Sequence, residues 1–170
     1  VKWSSLPVSY VINPGSYNRN FVTNAISTSA ETWDSATSRE LMKNEYQTSS
    51  GPETLFGVQN YKNAISFGNY STGGVIAVTV IWYTRYGRQI VEFDIMFDTD
   101  FTWGNATSNS GLMDLQNIAT HELGHGVGLA DIYSSACSTV TMYGYSAYGE
   151  TSKRTLEQPD ITGLQKMYGI

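Results

Sequence analysis

Cysteine and histidine are scarce in this sequence, which holds one cysteine and two histidines among 170 residues. The single cysteine, Cys137, excludes an intrachain disulfide, so the fold must rest on its core alone; the residue reads as a free thiol in a loop. Charge is also scarce, at 15% of residues. The basic residues are scattered, with Lys153–Arg154 the one adjacent pair, and the net charge is −5. Such a chain has no electrostatic reason to seek a phosphate backbone or an anionic bilayer, so neither nucleic acid nor membrane is expected as a partner. No apolar run reaches the eighteen residues that a membrane-spanning helix needs. The opening Val1-Lys2-Trp3 is no signal peptide, so an export signal is expected outside these residues. Repeats, charge blocks and proline-rich linkers are absent as well.

What is present suffices for one domain with a sizeable core: 41% of residues are hydrophobic. Leu6–Ile12 alternates, with Val8, Tyr10 and Ile12 on one face, and predicts a strand that Asn13-Pro14-Gly15 ends. From Asn20 to about Ser35, Phe21, Ala25, Ile26, Ala30 and Trp33 recur at helical spacing. Strands are expected at Thr54–Val58, Ala64–Phe67, Val75–Tyr83 and Gln89–Phe97, followed by a loop over Asp98–Ser110. Leu115, Ile118, Ala119 and Leu123 mark a helix from about Asp114 to Val127, and Leu156–Tyr168 closes the chain with a third. The order implies an α+β domain around one mixed sheet.

The chemistry concentrates in His121-Glu122-Leu123-Gly124-His125-Gly126-Val127-Gly128-Leu129-Ala130-Asp131. Residues four apart lie on one helix face, so both imidazoles can aim at a single point with Glu122 beside them. This is the His-Glu-x-x-His zinc-protease motif. Both histidines of the chain fall at this spacing, which argues against two unrelated helical residues. A catalytic zinc takes three protein ligands and keeps one position open. With no third histidine, Asp131 is the candidate; Gly128 can end the helix in a left-handed conformation and turn the chain back toward the metal. Glu150 and Glu157 are rival third ligands.

The same residues, with Thr141-Met142-Tyr143-Gly144 as a Met-containing turn, resemble the metzincin clan. Gly74–Val78, Asp94–Asp100 and Asp160–Gly169 are similar to its matrixin branch, from the Trp3 region to Gly169. The resemblance implies a zincin fold: a mixed, mostly parallel five-stranded sheet with two main helices in an upper part (about residues 1–128) and a small lower part (about 129–170) ending in a helix. It also implies a zinc endopeptidase in which Glu122 activates a zinc-bound water. Gly74, Val75, Ile76 and Ala77 would pair with an extended substrate, and Tyr143 and Tyr145 would wall a pocket. Met142 would floor the zinc site and Asp160 would brace the turn. Asp98 and Asp100 match a region that binds calcium in matrixins. A secreted monomer acting on a protein or peptide is the expected setting.

The chain departs from matrixins in having Asp131 where a third histidine is usual. Met96 stands where a structural-zinc histidine is usual, which argues against a second zinc of that kind. Pro159-Asp160 replaces two acidic residues. The competing reading from another class is an inactive, zinc-containing peptide-binding module, against which the intact Glu122 counts.

Overall fold

The computed structural model describes residues 1–170. Five strands form the main sheet: β1 (Val11–Ile12), β2 (Gln47–Thr48), β3 (Ala64–Gly68), β4 (Ala77–Tyr83) and β5 (Ile90–Asp98). Their order is β2-β1-β3-β5-β4, and every pairing is parallel except β4 with β5. β4 is therefore an edge strand. Two short strands, β6 (Trp103–Gly104) and β7 (Met113–Asp114), pair separately within and after the long loop. This is the mixed, mostly parallel α+β architecture expected.

Helix α1 (Arg19–Asp34) starts where the Asn18 side chain accepts the Phe21 N–H at 3.0 Å. Val22, Ala25, Ile26, Ser29, Ala30 and Trp33 are buried at spacings of three and four, giving one stripe toward the core. Helix α2 (Leu115–Gly126) starts in the same way, with Asp114 accepting from Asn117 N at 2.9 Å. The two helices are keyed by polar contacts as well as packing. Trp33 Nε1 donates to Thr120 O at 2.7 Å, and Thr120 Oγ1 to Ser29 Oγ at 2.9 Å. These bonds fix the rotation of α2, so Leu115, Ile118, Ala119 and Leu123 enter the core and the histidine face is left for the cleft. Phe93, Ile95 and Phe97 of β5 complete that core.

Helix α3 (Gln158–Tyr168) has Pro159 in its first turn, where a missing N–H does no harm. Its Tyr168 hydroxyl donates to Val127 O at 2.7 Å and accepts from Trp3 N at 3.0 Å, while Trp3 Nε1 donates to Gly126 O at 2.9 Å. Both chain ends thus strap the C-terminal end of α2. No helix is long and apolar enough to cross a membrane.

The expected strand over Thr54–Val58 is not formed. Pro52–Thr54 is a 3-10 turn and the following residues form a loop, because the Gly57 N–H is taken by the Asp94 side chain at 2.9 Å rather than by a neighbouring strand. Farther along that loop, the Asn60 and Tyr61 N–H groups bond to the buried Glu92.

Asp94 itself is fully buried, and its Oδ1 has no partner. Burial pushes its pKa up to about 6; the neighbouring Glu92 adds to this and the Gly57 N–H opposes it. The folded state therefore holds this proton more tightly than the unfolded chain does. The stability this contributes is present at low pH and is lost as pH rises from about 4 through about 6. Asp94→Asn is expected to raise Tm at pH 8 by about 2–4 °C, the shift that roughly 1 kcal/mol produces in a domain of this size. It should have little effect at pH 4. Thermal melts across that range check it, and equal effects at both ends would contradict it.

Candidate active site

His121, Glu122 and His125 come together on the cleft-facing side of α2, with their donor atoms within 4.8 Å of one another. His121 Nδ1 lies 2.7 Å from Thr141 O, and His125 Nδ1 lies 2.8 Å from Leu129 O. A carbonyl can only accept, so each Nδ1 carries a proton and each Nε2, when unprotonated, is the atom that can present a lone pair to a metal. Both Nε2 atoms meet Asp131. Its Oδ1 is 3.0 Å from His121 Nε2 and 3.3 Å from His125 Nε2, yet it is buried and accepts no hydrogen bond. Two lone-pair nitrogens and a carboxylate oxygen facing one another repel unless a cation lies among them. Ligands about 2.0–2.1 Å from a tetrahedral zinc stand roughly 3.3 Å apart, so the donor set fits zinc.

The charges agree. Burial acts to lower the His125 pKa, but the Asp131 carboxylate and Glu122 outweigh it and push it up to about 9. Burial acts to raise Asp131, and the two imidazoles hold it far below the usual carboxylate range instead.

The local fold explains how Asp131 arrives. Gly128 N donates to His125 O and Leu129 N to Gly124 O, both at 2.9 Å, and Gly128 has φ +109°. This Schellman cap needs a residue tolerant of positive φ, and a side chain at Gly128 would also strike the Val1 carbonyl. The cap turns the chain and delivers Leu129 O to His125. The returning strand is then stitched to the Met-containing turn, with Ile132 N donating to Met142 O at 2.8 Å and Gly144 N to Ile132 O at 2.9 Å. Met142 is buried beneath α2, against Gly124, where an added Cβ would collide with its sulfur. Asp160 holds this turn from below: its carboxylate accepts Thr141 N at 2.9 Å, Met142 N at 3.1 Å and Glu157 N at 2.9 Å. Since Thr141 O orients His121, Asp160 acts on that imidazole at one remove.

The cleft over this centre encloses about 980 Å³. Gly74, Val75, Ile76, Ala77 and Tyr145 border it; Tyr143 does not and stands behind Tyr145, ring centroids 5.6 Å apart. The ladder begins at Ala77, with Ile76 O accepting Asp98 N at 2.9 Å just before it. Glu150 is occupied by Lys153 Nζ and by Asn117 Nδ2, and Glu157 lies at the start of α3, so neither rival ligand is in the cluster. Asp98 is buried and accepts the Asp100 N–H at 3.0 Å; Asp100 is exposed, and the two join no cluster of three metal-binding side chains.

Two residues of the site had no distinguishing mark in the sequence. Tyr133 Oη donates to Asp131 Oδ2 at 3.1 Å, which leaves Oδ1 turned to the histidines. Thr79 on β4 hydrogen-bonds the Glu122 carboxylate. Tyr133 is one of twelve tyrosines, and Thr79 sits in a run that otherwise reads only as a strand.

The matrixin family model matches residues 2–169. Human neutrophil collagenase is 40% identical over 77 residues, covering 45% of this chain and 15% of the collagenase. The hatching enzyme of Paracentrotus lividus is 29% identical over 99% of this chain and 27% of its own length. Human matrix metalloproteinase-25 is 34% identical over 49% of this chain and 15% of its own. The chain spans well under a third of these relatives. With the match running nearly end to end over a helix that brings His121, Glu122 and His125 together, the chain belongs to the matrixin family of zinc metalloproteases.

Proposed function

We propose that this matrixin domain is an endopeptidase that cleaves extended protein or peptide substrates, with zinc held by His121, His125 and Asp131 and with Glu122 moving the proton. The observation that carries the reading is the buried, unpartnered Asp131 Oδ1 facing two Nε2 atoms, in a cleft bordered by a free sheet edge. Zinc bound there supplies a Lewis acid that polarises a carbonyl and lowers the pKa of water. Glu122, 5% exposed, takes the proton of the attacking water and hands it to the leaving amine. The outer edge of β4, with Gly74–Ile76 leading into it, offers backbone groups to an antiparallel peptide, and Tyr145 backed by Tyr143 walls the adjoining pocket. An extracellular protein substrate and a monomeric enzyme go with the reading, on the strength of matrixin membership.

Metal removal tests it. Purified protein should hold about one zinc per chain and cleave casein. Dialysis against a zinc chelator should abolish cleavage by at least about 100-fold, and added zinc should restore it. Full cleavage by metal-free protein would end the proposal.

A further inference from the structure

β4 runs along the cleft with Ala77, Thr79 and Ile81 turned to the same side. Ala77 and Ile81 pack against the hydrophobic core. Thr79 is the one polar residue in Val75–Trp82, at a position where valine would fill the same space. Its hydroxyl meets Glu122 from across the cleft, 43 residues away in sequence, bonding to carboxylate Oε2 and lying 3.3 Å from the Glu122 backbone oxygen. No other group hydrogen-bonds the Glu122 carboxylate, although the residue is buried. A buried carboxylate on a flexible stem, held by no partner, would sample several rotamers, and only some of these place an oxygen where a water can be deprotonated. With Oε2 tied to Thr79, Oε1 is the oxygen left to the cleft.

We infer that Thr79 is a positioning residue for the proposed proton carrier: it locks the Glu122 side chain so that one carboxylate oxygen is anchored to β4 and the other is presented to the attacking water. This rests on the reading of Glu122 as the base. It also joins the substrate-bordering strand to the base, so that the group holding the peptide and the group moving the proton keep a fixed relation.

The test compares wild type, Thr79→Val, Thr79→Ser and Glu122→Gln, each zinc-loaded, on a fluorogenic peptide. Thr79→Val keeps the shape and removes the donor. Its kcat should fall at least about tenfold, with KM within about twofold and zinc content unchanged, because bound substrate and metal are untouched and only base placement is lost. Thr79→Ser should recover most of the lost rate, since it restores the hydroxyl while leaving out the methyl. Thr79→Val at the wild-type rate overturns the inference, as does an equal loss in Thr79→Ser, which would mark a packing role. A fully active Glu122→Gln would instead remove the reading of Glu122 on which the inference stands, whatever the Thr79 variants do.

Discussion

Glu122→Gln is expected to lower kcat/KM by at least about 10³-fold while leaving zinc bound, within the range that general acid–base catalysis contributes. The substitution keeps the volume of the side chain and an oxygen that can accept from Thr79, so the local packing survives. What it removes is basicity: an amide does not take a proton from water near neutral pH. Zinc should stay because each of the three proposed ligands has its own support. His121 is held by Thr141 O, His125 by Leu129 O, and Asp131 by Tyr133. The measurement is peptide hydrolysis with zinc content determined on the same sample. Retention of both zinc and activity would show that the proton is carried elsewhere. Loss of zinc in this variant would mean that Glu122 contributes to metal binding rather than to proton transfer.

Asp131→Ala is expected to weaken zinc binding by more than about 100-fold. Loss of a supporting residue around a metal ligand typically costs 10–100-fold, so loss of the ligand itself should exceed it. Zinc would keep two imidazoles, and the site would lose the one anionic donor among its three protein ligands. Glu150→Gln and Glu157→Gln should leave zinc affinity unchanged, since Glu150 is engaged by Lys153 and Glu157 caps the region of α3. Competition with a metal-sensitive dye reads all three. Glu150→Gln releasing zinc while Asp131→Ala retains it would reverse the ligand assignment. The holoprotein should also lose thermal stability in Asp131→Ala, because a ligand bound only to the folded state adds stability in proportion to its affinity.

The site and the fold were legible in the sequence to different depths. α1, α2 and α3 were readable to within a few residues, because apolar residues at spacings of three and four mark a buried face wherever the helix sits. β3, β4 and β5 were readable from their apolar runs. β1 was read as Leu6–Ile12, although the ladder strand is Val11–Ile12 alone, and β2, β6 and β7 were not read, since each has two residues and a two-residue strand carries no periodicity. Thr54–Val58 misled for a related reason. Leu55, Phe56 and Val58 suit a strand locally, but Leu55 and Val58 are exposed, and the backbone between them is claimed by the buried Asp94. Tyr143 and Tyr145 looked equivalent in sequence, and only one of them borders the cleft.

The sequence by itself determined the pair of imidazoles with a carboxylate between them, and the glycine able to cap their helix. These depend on the 3.6-residue helical period and on the freedom of glycine at positive φ, both properties of a few adjacent residues. Only the tertiary structure decided that Asp131 Oδ1 meets both Nε2 atoms, that Asp160 steadies His121 through Thr141, and that Thr79 holds Glu122. Those contacts join residues separated by up to 43 positions, on elements brought together by the shared core, and no local pattern encodes which hydroxyl or carbonyl will face a given side chain once that core has formed.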